Sequence, residues 1–160
     1  MSQHRDAIGD RVLTLWKRLA PYPGGRWLFS RILGNIAPYT GSIGASVKEL
    51  RPGYARIELR DRRKVRNHLN SVHAIALMNL GEVATGLALM TGLRPGIRGI
   101  ITGLSIEYLK KARGRLVAVS ETEQPEVREE LQHEVIAVIK DQSGDVVARC
   151  TANWRLGLTP

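Results

Sequence analysis

An amphipathic segment opens the chain, and its apolar spacing predicts a helix. Between residues 6 and 20, apolar side chains recur every three or four positions with basic residues between them, the pattern of a helix that buries one face. Proline and glycine at residues 21–25 end this helix, and a second short apolar piece follows at residues 27–33. We expect a helical N-terminal extension, residues 1–37, that covers an open face of the domain. Binding of the basic helix to a membrane surface is the alternative.

From Ile43 the apolar positions alternate with polar ones, which is typical of half-buried strands. This alternation predicts two strands, at residues 43–50 and 54–60, joined by a turn at Arg51-Pro52-Gly53. Residues 61–70 carry many charges and are predicted to form a polar loop.

Residues 71–91 predict one long, enclosed helix. Apolar side chains occupy almost every side of this segment, and a helix that is apolar all round is buried by the rest of the protein. Ser71 or Asn70 is the expected N-cap, and Gly92 follows the end. At about 1.5 Å per residue, the helix spans roughly 30 Å.

The remainder of the chain predicts four further strands, punctuated by glycine and proline. They lie at residues 97–110, 114–123, 130–140 and 145–157. Strands and helices do not alternate, so a doubly wound parallel sheet is excluded. We expect an α+β fold, with an antiparallel sheet wrapped around one central helix in a single domain over residues 38–160.

The composition bounds the class of protein and of partner. The chain has 160 residues and a formal net charge of +9, which favours partners that carry phosphate. Its single cysteine, Cys150, excludes a disulfide framework and is expected to be a small core residue. No apolar run reaches the roughly 18 residues of a membrane span, and the first residues do not resemble a secretory signal. We therefore expect a soluble cytoplasmic protein.

The start of the central helix resembles a known family. Asn67 precedes His73 at the helix start, and the carboxylate of Glu82 follows nine residues later. This arrangement resembles the hotdog-fold acyl-CoA thioesterases of the PaaI-like group and their relatives in the DUF4442 family, and residues 104–114 are similar to the strand that follows the helix there. Two features differ from that family: Ala74-Ile75 stands where Gly-Gly is frequent, and Glu82 where Asp is commoner. The resemblance implies a hotdog fold, a homodimer or homotetramer with active sites between subunits, and hydrolysis of an acyl-CoA.

Glu82 is the residue that most clearly indicates a functional site. A carboxylate inside an apolar helix is costly unless it meets a partner, water or substrate. Asn79, Glu82, Thr85 and Gly86 form one narrow polar stripe at helical spacing. The stripe lines either a reactive cleft or a packing surface between subunits, unless Glu82 simply reaches solvent. The resemblance favours the cleft.

Helical geometry separates Glu82 from the helix start. Nine residues rotate the chain by about 180° and advance it by about 13 Å, so Glu82 and His73 of one chain cannot meet. If they form one site, the helix start comes from a second copy of the chain. The resemblance to dimeric hotdog thioesterases implies the same arrangement.

These residues suggest roles in hydrolysis of an acyl thioester. Free N–H groups near His73, Ala74 and Ile75 would polarise the carbonyl, while Glu82 activates water or attacks directly. Asn67 either orients the water or the carbonyl, or caps a turn. His73 either holds the loop before the helix or transfers a proton.

A coenzyme A thioester would suit the positive charge, because its nucleotide end carries several phosphate charges. The candidates for that end are cations that flank the predicted third strand, and each is otherwise an ordinary surface residue; they are Arg94, Arg98, Lys110, Lys111 and Arg113. Asn79 and Thr102 are expected to line the acyl site. We expect no cofactor other than coenzyme A as part of the substrate, and no metal, because His68 and His73 lack ligand spacing.

Two other functions remain open. A hotdog protein could hold acyl-CoA or acyl carrier protein without catalysis. The loop cations Arg62, Arg63, Lys64 and Arg66 could contact nucleic acid, but no recognition or stacking motif accompanies them, so we expect no nucleic-acid partner.

Overall fold

The structure, a computed structural model, describes residues 8–159. Residues 6 and 7 of the predicted first helix lie outside this range. Helices and strands follow one another in this order: α1 (Ile8–Leu19), α2 (Gly25–Ile36), α3 (Pro38–Gly41), β1 (Ser46–Arg51), β2 (Tyr54–Arg60), α4 (Ala74–Met90), β3 (Ile97–Tyr108), β4 (Arg115–Glu121), β5 (Leu131–Lys140) and β6 (Val146–Leu158), with a 3-10 turn at Arg63–Val65 between β2 and α4. None of the helices in this range is long and apolar enough to cross a membrane.

The strands form one antiparallel sheet that carries the central helix. Their order is β1-β2-β4-β5-β6-β3, so that β1 and β3 are the edges. Helix α4 packs against all six strands, as expected for a sheet that curls around one helix. This confirms the predicted α+β hotdog fold with an additional N-terminal helical segment.

Small side chains on the inner sheet face let the helix approach closely. Ala118, Ala137, Cys150 and Ala152 are fully buried on the middle strands. On the helix, Gly81 faces Cys150 so closely that a Cβ at this position would lie 2.6 Å from the Sγ atom. The absence of a side chain at Gly81 therefore sets the distance between α4 and β6.

The N-terminal helices pack beside the central helix and the β1 edge. Leu13, Trp16 and Phe29 are buried in the main core, and the rings of Trp16 and Phe29 meet edge to face at 5.0 Å. The backbone N–H of Val47, in edge strand β1, donates to the Ser30 hydroxyl at 2.9 Å. Gly9 of α1 lies against the Met90 carbonyl at the end of α4. Placement of the domain boundary after residue 37 stays a prediction.

One stripe of the central helix remains uncovered. Within α4, Ile75, Met78, Glu82, Gly86 and Met90 are partly or well exposed, at helical spacing, while most of the other residues are buried. The helix is thus enclosed on every side except one, and Glu82 lies in the middle of the open side.

The structure corrects the predicted N-cap of the central helix. His73, rather than Ser71 or Asn70, is the cap, and its Nδ1 accepts the Ile75 N–H at 3.1 Å. Ser71 is buried in the preceding loop, where it contacts Asn67. Asn70 has a φ of 53°, a left-handed conformation that asparagine tolerates in turns.

Candidate active site

The open stripe of α4 forms the floor of a cleft of about 510 Å³. Strand β3 forms one wall and the short helix α3 borders the other side. The lining is mainly apolar, and Glu82 is its one charged side chain within the described residues; the lining residues are Tyr39, Ile75, Met78, Asn79, Glu82, Ile101, Thr102, Gly103 and Leu104. A cleft of this size and polarity suits a small apolar group.

The Glu82 carboxylate is partly buried and unpaired. Burial raises the pKa of Glu82 above its ordinary value of 4.5, and no charged or hydrogen-bonding side chain of residues 8–159 counters this effect. The Thr85 hydroxyl donates to the backbone carbonyl of Glu82 at 2.9 Å and not to the Glu82 carboxylate. An unpaired carboxylate with a raised pKa is a stronger base than an ordinary glutamate.

Asn79 and Thr102, both predicted to line the acyl site, lie on this cleft. Asn79 is buried, and its Nδ2 donates to the Tyr39 carbonyl at 3.0 Å, which holds α3 against α4. Thr102 is the extra residue of a bulge in β3, and its hydroxyl donates to the Asn153 carbonyl at 3.2 Å. In the described chain, the hydrogen bonds of these two side chains therefore hold the cleft walls in place.

The start of α4 is fastened by contacts from several elements. The His73 N–H donates to the Val65 carbonyl at 2.8 Å, and the Val72 N–H to the Ala112 carbonyl at 2.8 Å. The Tyr108 hydroxyl, at the end of β3, donates to the Ala74 carbonyl at 2.9 Å. The backbone N–H groups at the helix start are thus held in fixed positions.

His73 and Asn67 hold the loop and the helix start in this chain. The Asn67 carboxamide oxygen accepts from the N–H groups of Leu69 and Ser71, at 2.9 and 3.3 Å, which is the turn-capping alternative. His73 caps the helix, as described above. Neither residue lines the cleft that contains Glu82, so one described chain does not bring the three predicted catalytic residues together.

The structure divides the five predicted coenzyme A cations between the two ends of β3. Arg94 and Arg98 lie near its start, whereas Lys110, Lys111 and Arg113 follow its end, about 40 Å away for twelve extended residues. The Lys110 ammonium pairs with Asp141 and Asp145, both at 2.7 Å. The Arg113 guanidinium donates to the carbonyls of Leu69 and Asn70, in the loop before α4. Within one described chain the two groups of cations therefore lie far apart.

Two tyrosines contribute contacts that the sequence analysis did not assign. Tyr39 comes from α3, far from the helix in sequence, and no local pattern pointed to it. Tyr108 occurs in the stretch that resembles the family, but its bond to Ala74 depends on how β3 ends beside α4.

Cys150 is a core residue, as predicted. It is fully buried, and burial, together with the negative charge of Glu82, raises the pKa of its thiol to about 11. Within the described range, no three His, Cys, Asp or Glu side chains come together as metal ligands would.

Comparison with known proteins identifies the family. Residues 25–156 match the family described as "Domain of unknown function (DUF4442)". No curated protein matches the chain at a significant level.

Several solved structures share the fold. The crystal structure named "genomics APC5556" is 31% identical, covers 96% of this chain and 100% of its own, and has a TM-score of 0.81. The protein PA5026 from Pseudomonas aeruginosa, named "Probable Thioesterase", is 20% identical over 79% of this chain and 91% of its own, with a TM-score of 0.72. A thioesterase family protein from Silicibacter pomeroyi is 18% identical over 81% of this chain and 96% of its own, with a TM-score of 0.67. The chain belongs to the DUF4442 family, and its hotdog fold is that of PaaI-like thioesterase family proteins.

Proposed function

We propose that this chain is an acyl-CoA thioesterase whose active site combines Glu82 of one subunit with the start of α4 of another. The observation that carries the proposal is the unpaired Glu82 carboxylate, facing a mainly apolar cleft of about 510 Å³. An apolar cleft accommodates an acyl group, and a carboxylate with a raised pKa provides the base. The fold shared with thioesterase family proteins supports the same reaction class.

In the proposed reaction, Glu82 removes a proton from a water molecule, and the oxygen of this water attacks the thioester carbonyl carbon. The tetrahedral intermediate then expels the thiolate of coenzyme A, which takes up a proton, and a carboxylic acid is released. In the alternative route, the carboxylate itself attacks and forms a mixed anhydride that water hydrolyses. Both routes break the same carbon–sulfur bond.

The start of α4 supplies the donors for the developing oxyanion. The Ile75 N–H is already bonded to His73, so it is not the donor. Among the described residues, the N–H groups of Ala74 and Ala76 have no partner, because the first turn of a helix leaves such groups free. Two oriented amides at the positive end of the helix dipole stabilise the oxyanion by a few kcal/mol each.

The second subunit is proposed to bind along the β3 edge. Strand β3 pairs only with β6 within residues 8–159 and borders the Glu82 cleft. Ile100, Tyr108 and Leu109 leave apolar surface exposed on or beside it. An unpaired strand edge with apolar neighbours favours pairing with another chain, and a second copy placed there approaches the open stripe of α4.

Of the two groups of cations, the one that follows β3 suits the nucleotide of coenzyme A better. Arg113 contacts the loop before α4, and Lys111 is exposed beside it. This group therefore lies on the same side as the amides that would polarise the thioester, whereas Arg94 and Arg98 lie at the opposite end of β3. We expect Lys111→Ala to raise KM for acyl-CoA with little change in kcat.

The test is a hydrolysis assay over short, aromatic and long acyl-CoAs, with release of the free thiol as the readout. We expect turnover of at least one class, and a decrease of about 100-fold or more in Glu82→Gln. Glu134→Gln is the matched control, because Glu134 is an exposed carboxylate on β5 and its loss changes the net charge equally. Equal turnover in both variants would remove Glu82 from the mechanism.

A non-catalytic carrier of acyl groups is the second candidate. Ile75, at the position where the family often has glycine, is 52% exposed and lines the cleft, which narrows the approach to the helix start. Stabilisation of the chain by a non-hydrolysable acyl-CoA analogue, without turnover of any acyl-CoA, would favour this candidate.

A further inference from the structure

The α1–α2 pair has one buried side and one exposed side of distinct chemistry. On the buried side, Leu13, Trp16 and Phe29 belong to the core, and Gly25 packs against the Leu19 carbonyl where the two helices meet. The pair is therefore a fixed part of the domain, and its exposed side is presented in a defined orientation.

The exposed side carries large apolar and aromatic side chains. Trp27 is 64% exposed, whereas the other two tryptophans, Trp16 and Trp154, are buried. Leu28, beside Trp27, and Tyr22, in the turn before α2, are also exposed. Tryptophan and tyrosine of this kind are enriched where a protein meets the boundary between water and lipid.

The same region carries an excess of positive charge, and the one acid of α1, Asp10, lies at its start. Residues 11–48 contain six Lys and Arg and no Asp or Glu, so this segment accounts for six of the nine net positive charges of the chain. The Arg31 guanidinium lies 5.6 Å from the centre of the Trp27 ring, one helical turn away. Arg18 is exposed on α1, and neither Arg18 nor Arg31 forms an ion pair within the described residues.

We propose that the exposed side of the α1–α2 pair docks on an anionic lipid bilayer. Trp27 and Leu28 would enter the headgroup region, and Arg18 and Arg31 would contact lipid phosphates, the usual division of labour in an interfacial amphipathic helix. Charge complementarity identifies the occupant, because a second copy would bring one positively charged surface against another, and the two would repel. A nucleic acid would match the charge but would leave the apolar side chains uncovered.

The position of this surface relates it to the cleft. Helix α2 continues directly into α3, which borders the cleft through Tyr39. Gly34 and Gly41 bring the two helices into close backbone contact. A bilayer docked on α2 would therefore lie beside one wall of the cleft, although the docking inference does not depend on hydrolysis.

Vesicle flotation of the full chain tests the proposal. We expect binding to vesicles that contain 30% phosphatidylglycerol in phosphatidylcholine at about 0.15 M salt. The bound fraction should decrease at least tenfold at 0.5 M salt because of screening. No binding to vesicles of phosphatidylcholine alone is expected. In a Trp16→Phe/Trp154→Phe variant, Trp27 is the only tryptophan, and its emission should shift to shorter wavelength and be quenched by brominated lipid. Absence of flotation with the anionic vesicles would overturn the proposal.

Matched variants separate a specific surface from general positive charge. Trp27→Ala/Leu28→Ala and Arg18→Ala/Arg31→Ala should each weaken vesicle binding at least tenfold. Arg63→Ala/Lys64→Ala removes the same charge from another exposed site and should change binding by less than twofold; an equal loss in this control would overturn the proposal.

A solution control excludes a protein interface and keeps the two proposals distinct. Trp27→Ala/Leu28→Ala should retain the molecular mass of the wild type and its turnover of soluble short-chain acyl-CoA. A change in assembly without loss of lipid binding would assign this surface to a protein contact instead.

Discussion

At the scale of the residue, the Glu82 carboxylate lies in surroundings that disfavour its charged form. Its carboxylate is partly buried on an apolar stripe, and within the described chain nothing compensates for the lost hydration. Such a group destabilises the fold in its charged form. A destabilising side chain in a cleft is typical of functional sites, where stability is lower in exchange for reactivity.

The raised pKa of Glu82 predicts opposite effects of pH on activity and stability. The reactive form is the carboxylate, so kcat/KM should fall on acidification with a midpoint above 4.5, the ordinary value of a glutamate. Between that value and the raised pKa the folded chain binds more protons than the unfolded chain, so the free energy of unfolding decreases as the pH rises.

Glu82→Gln should remove this decrease, and at pH 7 its Tm should equal or exceed that of the wild type while turnover is lost. Thermal unfolding and rate measurements at several pH values check both statements. A lower Tm together with a wild-type pH profile would contradict them.

The thiol of Cys150 should be unreactive in the folded chain. Burial and the nearby charge of Glu82 raise its pKa to about 11, so almost no thiolate is present at pH 8, and reagents cannot reach it. Iodoacetamide at pH 8 should label the protein only after denaturation, as read by mass spectrometry. Rapid labelling of the native chain would show that the contact between α4 and β6 opens.

At the scale of the element, the packing of α4 on β6 depends on one glycine. A Cβ at Gly81 would collide with Cys150, whereas a Cβ at Gly86 would meet the Trp154 ring at 3.5 Å, an ordinary contact. Both glycines lie in the helix interior, where alanine is intrinsically favoured by about 1 kcal/mol.

The two substitutions should therefore have opposite signs. Gly81→Ala should lower the free energy of unfolding by about 1–3 kcal/mol through overpacking, and Gly86→Ala should raise it by about 0.5–1 kcal/mol. Urea unfolding measures both. A gain in stability at Gly81 would mean that the helix can move away from β6 at little cost.

Elements of this fold were predictable where the pattern of side chains decides them. The apolar run before Gly92 predicted α4, alternation predicted β1 and β2, and glycine and proline marked the bounds of the other four strands. The cap at His73 was not predictable, since histidine is an uncommon N-cap and depends here on the loop fixed by Asn67. The separation of the two groups of cations within one chain was not predictable, because it depends on β3 running over twelve residues between them.

At the scale of the whole molecule, the described chain contains both parts of the proposed site but holds them apart along α4. The cleft with Glu82 and the amides of Ala74 and Ala76 are both preformed, but Asn67 and His73 lie outside that cleft. If a second copy joins along β3, sedimentation should give twice the chain mass of 17.7 kDa, or four times that mass if two dimers associate. A monomer at micromolar concentration would contradict a site built from two chains.

Subunit complementation tests the shared site most directly. Glu82→Gln removes the base, and Asn67→Ala releases the loop that fixes the start of α4, so we expect each variant to be inactive alone. The two chains are co-expressed with different tags, and the mixed dimer is purified. One of its two sites then combines an intact Glu82 with an intact helix start, so the mixed dimer should recover about half of the wild-type turnover of acyl-CoA. A mixed dimer as inactive as its parents would contradict the account. If each site were contained within one chain, both chains of the mixed dimer would carry a damaged site.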